Sequence, residues 1–139
     1  MFQRIPGGPA LVSVVSSAMM GSLSGSAVAN TATTGTMTIP LMKSSGFSPE
    51  TAAGVEAAAS SGGALMPPIM GAGAFMMLEM VEPAVTYPEI IKAAIIPAAL
   101  YYIALLLTVY FYAQRIDAGA EVAVKEEKNQ REGLSLIHI

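Results

Sequence analysis

An all-α membrane fold with several helical segments follows from three observations. Charged residues make up 12% of the 139-residue chain and hydrophobic ones 53%, whereas soluble domains carry about 25% charged residues. The mean hydropathy is +0.57. Three long stretches, Ile5 to Met42, Ala57 to Leu78 and Ala93 to Ala113, contain no charged side chain at all. A bilayer crossing needs about 20 apolar residues, and backbone at membrane depth must satisfy its own hydrogen bonds. The architecture this predicts is polytopic: a re-entrant helical hairpin, a discontinuous transmembrane helix and one full transmembrane helix.

The hairpin is assigned to residues 1–42. From Pro9 to Met42 the chain is uncharged yet dense in Gly, Ser and Thr, above all between Gly21 and Gly35. That is too apolar for a water-facing loop and too rich in hydroxyls and glycines for a lipid-facing helix. It reads as a segment that enters and returns on one side, with its tip near Ser24 to Asn30 (SGSAVAN).

Residues 43–80 form the discontinuous helix. Ser48 is a good N-cap, Pro49 fits the first helical position, and Glu50 suits the positive pole of a helix. Thr51 to Ala59 are compatible with a helix. Ser60, Ser61, Gly62 and Gly63, then Met66, Pro67 and Pro68, interrupt it, and a second half restarts after Pro68 towards Glu79. Residues 81–113 supply a connecting loop and the clearest span, Ala93 to Ala113. Pro97 would kink its first turns unless a neighbouring helix or hydroxyl satisfies the freed carbonyl, Tyr101, Tyr102, Tyr110 and Tyr112 partly suit an interface, and Arg115 marks the water boundary. If the hairpin returns, Arg4, Lys43, Arg115, Lys125, Lys128 and Arg131 share one side, as the positive-inside rule asks, with Glu79, Glu82 and Glu89 mainly on the other. Residues 114–133 read as a charged, helix-prone linker in which Glu121 and Lys125 are spaced i,i+4. Residues 134–139 (LSLIHI) resemble the in-frame translation of a transposase end sequence used in preparing sequencing libraries. His138 is therefore given no role, and the chain is expected to be part of a larger protein.

Several chemistries find no support. There is no cysteine for disulfides, metal sites or thiol catalysis, no basic stripe for nucleic acid, and no compact apolar core for a secretory signal. Gly21 to Gly25 (GSLSG) places Leu23 where a nucleophile elbow needs serine, and no phosphate loop is present. An enzyme is not expected. Two broken elements carrying Gly and Ser instead offer carbonyls and hydroxyls, the hard oxygen ligands an alkali cation prefers, and helix N-termini that suit a carboxylate. Asn30 could give its amide oxygen to a cation or its NH2 to a substrate. Glu56, the one acid well inside a span, is either a relay or coupling-ion neighbour or a group paired with a nearby hydroxyl. Small-residue spacing such as Gly21 and Gly25 also serves plain helix packing. A channel or structural membrane protein using these motifs only for packing is therefore the alternative reading.

The run from Gly21 to Phe75, with its SGSAVAN and AAASSGG…MPP blocks, closely resembles the large membrane (permease) subunit of TRAP transporters (tripartite ATP-independent periplasmic), especially the kind fused to its small subunit. The likeness extends more loosely from Phe2 to about Arg115. It implies part of an elevator-type secondary transporter, driven by sodium, that imports organic acids delivered by a periplasmic binding protein across a bacterial or archaeal inner membrane. By that likeness Gly25, Ser26, Asn30, Ser60, Ser61, Gly62, Gly63 and Pro67 would form a sodium site, and Ser26, Asn30, Thr31, Pro67 and Pro68 one wall of the substrate site. Sodium would be the coupling ion, with no other cofactor and no transition metal. The implied partners are membrane lipid, the binding protein, the small membrane subunit and the remainder of the permease. The inverted second copy of hairpin and broken helix is absent from this sequence, so the fragment is not expected to transport alone.

Overall fold

The computed structural model describes the backbone of residues 7–137 and the side chains of residues 7–117. The expectations for Arg4, for the side chains of Glu121, Lys125, Lys128 and Arg131, and for His138 lie outside those residues. The described chain is helical throughout, with no strand: α1 (Gly8–Ser24), α2 (Ala27–Lys43), α3 (Pro49–Gly62), α4 (Ala72–Met80) and α5 (Tyr87–Ile137), plus one 3-10 turn at Gly63–Leu65.

Local chemistry sets each boundary. The turn between α1 and α2 is made by Gly25, at φ 61°, whose N–H closes on the Gly21 carbonyl; this left-handed C-cap is where glycine carries no Cβ penalty. Ser26 then caps α2 by accepting from the Ala29 N–H. Both helices are 17 residues long, about 25 Å at 1.5 Å per residue. Ser48 accepts from the Thr51 N–H and Pro49 opens α3, as the sequence predicts. The expected tip, Ser24 to Asn30, is narrower than anticipated, since Ala27 to Asn30 are already helical.

The interruption of the second element lies further along than the glycines suggest. Ser60, Ser61 and Gly62 are still α-helical, and the chain opens only across residues 66–71 before α4 begins. Two sets of bonds hold the end of α3 closed. Ser61 Oγ donates back to the Ala57 carbonyl at 2.7 Å. From α5, the hydroxyls of Tyr101 and Tyr102 donate to the Ala58 and Ala59 carbonyls at 2.8 and 2.9 Å. These tyrosines cap a helix end, a specific role beyond the interfacial anchoring expected of them.

The packing of the bundle places its two ends. Gly46 approaches Ile116, and the rings of Phe47 and Tyr112 lie 5.6 Å apart. Lys43 and Arg115 therefore share the end where α1 starts and α2 stops. At the other end the hairpin tip meets residues 69–71, and the Tyr87 hydroxyl donates to the Pro68 and Ile69 carbonyls. The core between α1, α2, α3 and α5 is built largely from small residues, with Ala10, Ala52 and Ala59 fully buried beside Val14, Met42 and Val109. Large apolar side chains such as Val28, Met37, Met80, Ile96 and Leu100 face outward. Tyr87–Asp117 is the one described helix long and apolar enough to cross a membrane.

Candidate functional site at the hairpin tip

The hairpin and the broken helix meet through glycines. A Cβ added to Gly21 would lie 2.5 Å from Gly63 Cα, so α1 and the end of α3 touch backbone to backbone. Around the tip, Gly25 faces the Met70 carbonyl and Gly71 faces the Gly25 carbonyl, and the Ile69 N–H donates to the Ser22 carbonyl. Met70 itself takes a left-handed φ of 44°, so the extended segment turns back onto the hairpin at this point. Main-chain carbonyls of the two interrupted segments are thereby gathered into one place.

Asn30 occupies the space the two glycines leave. It is fully buried, and its Nδ2 would lie 3.0 Å from a Cβ on Gly21 and 3.5 Å from one on Gly63. Nδ2 donates to the Ser17 carbonyl at 2.8 Å, and because only an NH2 can donate there the network fixes the amide orientation. Among the described residues Oδ1 has one hydrogen-bond contact, Thr34 Oγ1 at 3.5 Å, beyond the usual range for O–H···O. Thr34 also has a single hydroxyl hydrogen, and both the Asn30 carbonyl at 2.8 Å and Glu56 Oε1 at 2.5 Å compete for it. The shorter contact, to Glu56, holds it. The Asn30 amide oxygen is thus a buried acceptor without an effective donor, and of the two uses open to Asn30 its geometry favours the oxygen ligand.

Glu56 lies just beneath. Its carboxylate, 0% exposed, accepts from Ser17 Oγ at 2.8 and 2.9 Å, from Thr34, from Thr38 Oγ1 at 2.6 Å and from Ser60 Oγ at 3.0 Å. All of these partners are hydroxyls, drawn from α1, α2 and α3. Gly35 makes room for it, since a Cβ there would meet Glu56 Cγ at 3.3 Å. The sequence singles out Glu56 but not Ser17, Thr34 or Thr38. A readable signal existed, because Asn30, Thr34 and Thr38 recur every four residues, as do Ser13 and Ser17, and Glu56 and Ser60, so that each helix carries one polar stripe within an uncharged stretch.

The remaining candidates divide. Gly25, Asn30 and Gly63 converge on the junction. Ser60 is buried there but turned to Glu56, Ser61 is exposed with its hydroxyl on the Ala57 carbonyl, and Gly62 packs under the Tyr101 ring. Thr31 is half-buried and bonds the Ala27 carbonyl. Ser26 and Pro68 are exposed and Pro67 half-buried, within the two interrupted segments.

Comparison with known proteins identifies the family. The family described as tripartite ATP-independent periplasmic transporter, DctM component, matches residues 1–138. The 2,3-diketo-L-gulonate TRAP transporter large permease protein YiaN of Escherichia coli K12 is 34% identical over 112 residues, 81% of this chain and 25% of the relative. Protein y4mL of Sinorhizobium fredii is 34% identical over 113 residues, 81% of this chain and 26% of that protein. YgiK of Salmonella typhimurium LT2 is 27% identical over 133 residues, 96% of this chain and 29% of the relative. The chain thus spans between a quarter and three-tenths of the length of these curated relatives. No solved structure matches. The family is one of membrane permeases, which points to a transport protein. An all-helical chain with one apolar helix of spanning length, matched by this family over nearly its whole extent, belongs to the DctM component of the tripartite ATP-independent periplasmic transporters.

Proposed function

We propose that this chain is the part of a sodium-coupled permease that forms the first cation site and one wall of the substrate site, in a transporter that imports organic acids. The observation that carries this reading is the junction itself: two interrupted helical segments meet, and the Asn30 amide oxygen, buried there, has no effective donor. Sodium suits such a group because it takes hard oxygen ligands, and the Gly25 and Met70 carbonyls lie at the same junction. Binding would bridge the hairpin to the residues 66–71 segment and hold both in one arrangement. The substrate surface of Ser26, Asn30, Thr31, Pro67 and Pro68 would exist only once the ion is in place, which couples ion to substrate.

A carboxylate substrate fits the start of α2, where backbone N–H groups and the helix dipole favour an anion. The E. coli relative is named for 2,3-diketo-L-gulonate, itself a carboxylate. In the complete protein the segment would move as part of an elevator-type transport domain in an inner membrane, with a periplasmic binding protein and a small membrane subunit as partners. Replacing Asn30 with Ala in the complete transporter, reconstituted with its binding protein, should weaken sodium dependence and uptake together. Sodium-driven uptake equal to that of the parent would refute the assignment, and leave Gly21 and Gly63 as packing devices only.

A further inference from the structure

We infer that Glu56 is a positioning residue for the cation site: acting through Thr34 and Ser17, it holds the Asn30 amide with its oxygen free for the ion. The inference rests on the cation reading of Asn30 given above, and two features of the hydroxyl cage carry it.

The first is the count of hydrogens at Thr34. Its one hydroxyl hydrogen has three acceptors within reach, Glu56 Oε1, the Asn30 carbonyl and Asn30 Oδ1. While Glu56 takes it, Asn30 Oδ1 stays open. If the carboxylate is replaced by a group that donates, the Thr34 hydrogen returns to Asn30, and a small rotation offers it to Oδ1, the atom the ion needs.

The second is the link through α1. Ser17 donates to both carboxylate oxygens, while its own carbonyl accepts from Asn30 Nδ2 at 2.8 Å. Glu56 therefore anchors the residue that orients the amide. Among the described residues no basic side chain is a partner of Glu56, which is held by hydroxyls alone. Thr38 provides an internal comparison, because it donates to Glu56 Oε2 at 2.6 Å and otherwise bonds only the Thr34 carbonyl. It belongs to the cage but does not touch Asn30.

The test uses the complete transporter, purified in detergent, with thermal stability followed against sodium chloride at constant ionic strength made up with choline chloride. A ligand that binds the folded state raises its stability with concentration, so the midpoint of that rise reports sodium affinity without any substrate. Glu56→Gln should move the midpoint up by about tenfold or more, the scale of one charge-assisted hydrogen bond. Ser17→Ala, which cuts the link from Glu56 to the residue that orients the amide, should shift it in the same direction and Thr38→Val by clearly less, while Thr34→Val, which leaves no hydrogen to occupy Oδ1, should stay near the parent. A role in folding alone would lower the melting temperature without sodium and leave all midpoints together. Parent-like midpoints in both Glu56→Gln and Ser17→Ala, or equal shifts in Ser17→Ala and Thr38→Val, would overturn the inference. If Glu56→Gln does not fold, the Ser17 and Thr38 pair decides. A parent protein that sodium does not stabilise, or an Asn30→Ala variant that it still does, would fell the cation reading first and this one with it.

Discussion

The backbone contact between Gly21 and Gly63 permits a quantitative test. In Gly21→Ala the new methyl carbon would lie 2.5 Å from Gly63 Cα and 3.0 Å from Asn30 Nδ2, whereas ordinary contact begins at 3.4 Å. The first obstacle is main chain and cannot rotate away, so α1 must back off from α3 by about 1 Å. Overpacking of this kind costs about 1–3 kcal/mol, and a rigid obstacle argues for the upper end. Alanine returns about 1 kcal/mol of helix propensity, leaving a net loss of about 2 kcal/mol. Gly54 is the matched control, since it lies inside α3 and a Cβ there meets nothing within 4 Å. Gly54→Ala should be neutral or stabilising by up to about 1 kcal/mol. Thermal unfolding of the two variants in the complete transporter should therefore separate them clearly. Because α1 carries Ser17, whose carbonyl orients the Asn30 amide, Gly21→Ala should also lose the stabilisation that sodium gives the parent. A Gly21→Ala protein as stable as Gly54→Ala would refute the close approach and the geometry built on it.

Other outcomes follow from single bonds. Tyr102→Phe removes the hydroxyl that caps the Ala59 carbonyl, whose usual helical partner, the Gly63 N–H, is spent on Ser60 and Ser61. A loss of about 1–2 kcal/mol is expected in thermal unfolding, with Tyr110→Phe, whose hydroxyl only accepts from Gln114, near neutral. Ser48→Ala removes the N-cap of α3 and should cost about 1 kcal/mol, recovered by Ser48→Asp. Tyr87→Phe frees the residues 66–71 segment from α5, which should show as faster hydrogen exchange there while α1 and α2 are unaffected.

Much of the fold was legible because its signals are local. The Ser48–Pro49–Thr51 cap and the glycine at the hairpin turn act over one helical turn, so their residue types suffice to find them. The position of the break was not legible in the same way. Ser60 to Gly62 look like a helix breaker, yet Ser61 closes on Ala57, and Tyr101 and Tyr102 reach the end of α3 from 43 residues away. Tertiary bonds at that separation override weak local propensity. The partners of Glu56 were hidden for a related reason. Ser17, Thr34 and Thr38 lie 39, 22 and 18 residues from it, and only the four-residue spacing of polar groups on each helix hinted that three stripes would face one another. Asn30 was found from its place beside the turn, but which end of its amide is free depends on the Ser17 carbonyl.

Hydrogen exchange of the complete transporter, with and without sodium and with no substrate present, tests most directly whether an ion joins the two interrupted segments. Peptides covering residues 24–30 and 63–71 should slow together when sodium is added, and neither should respond in Asn30→Ala. Exchange that is indifferent to sodium in both segments, or that slows in one and not the other, would contradict a cation held between them.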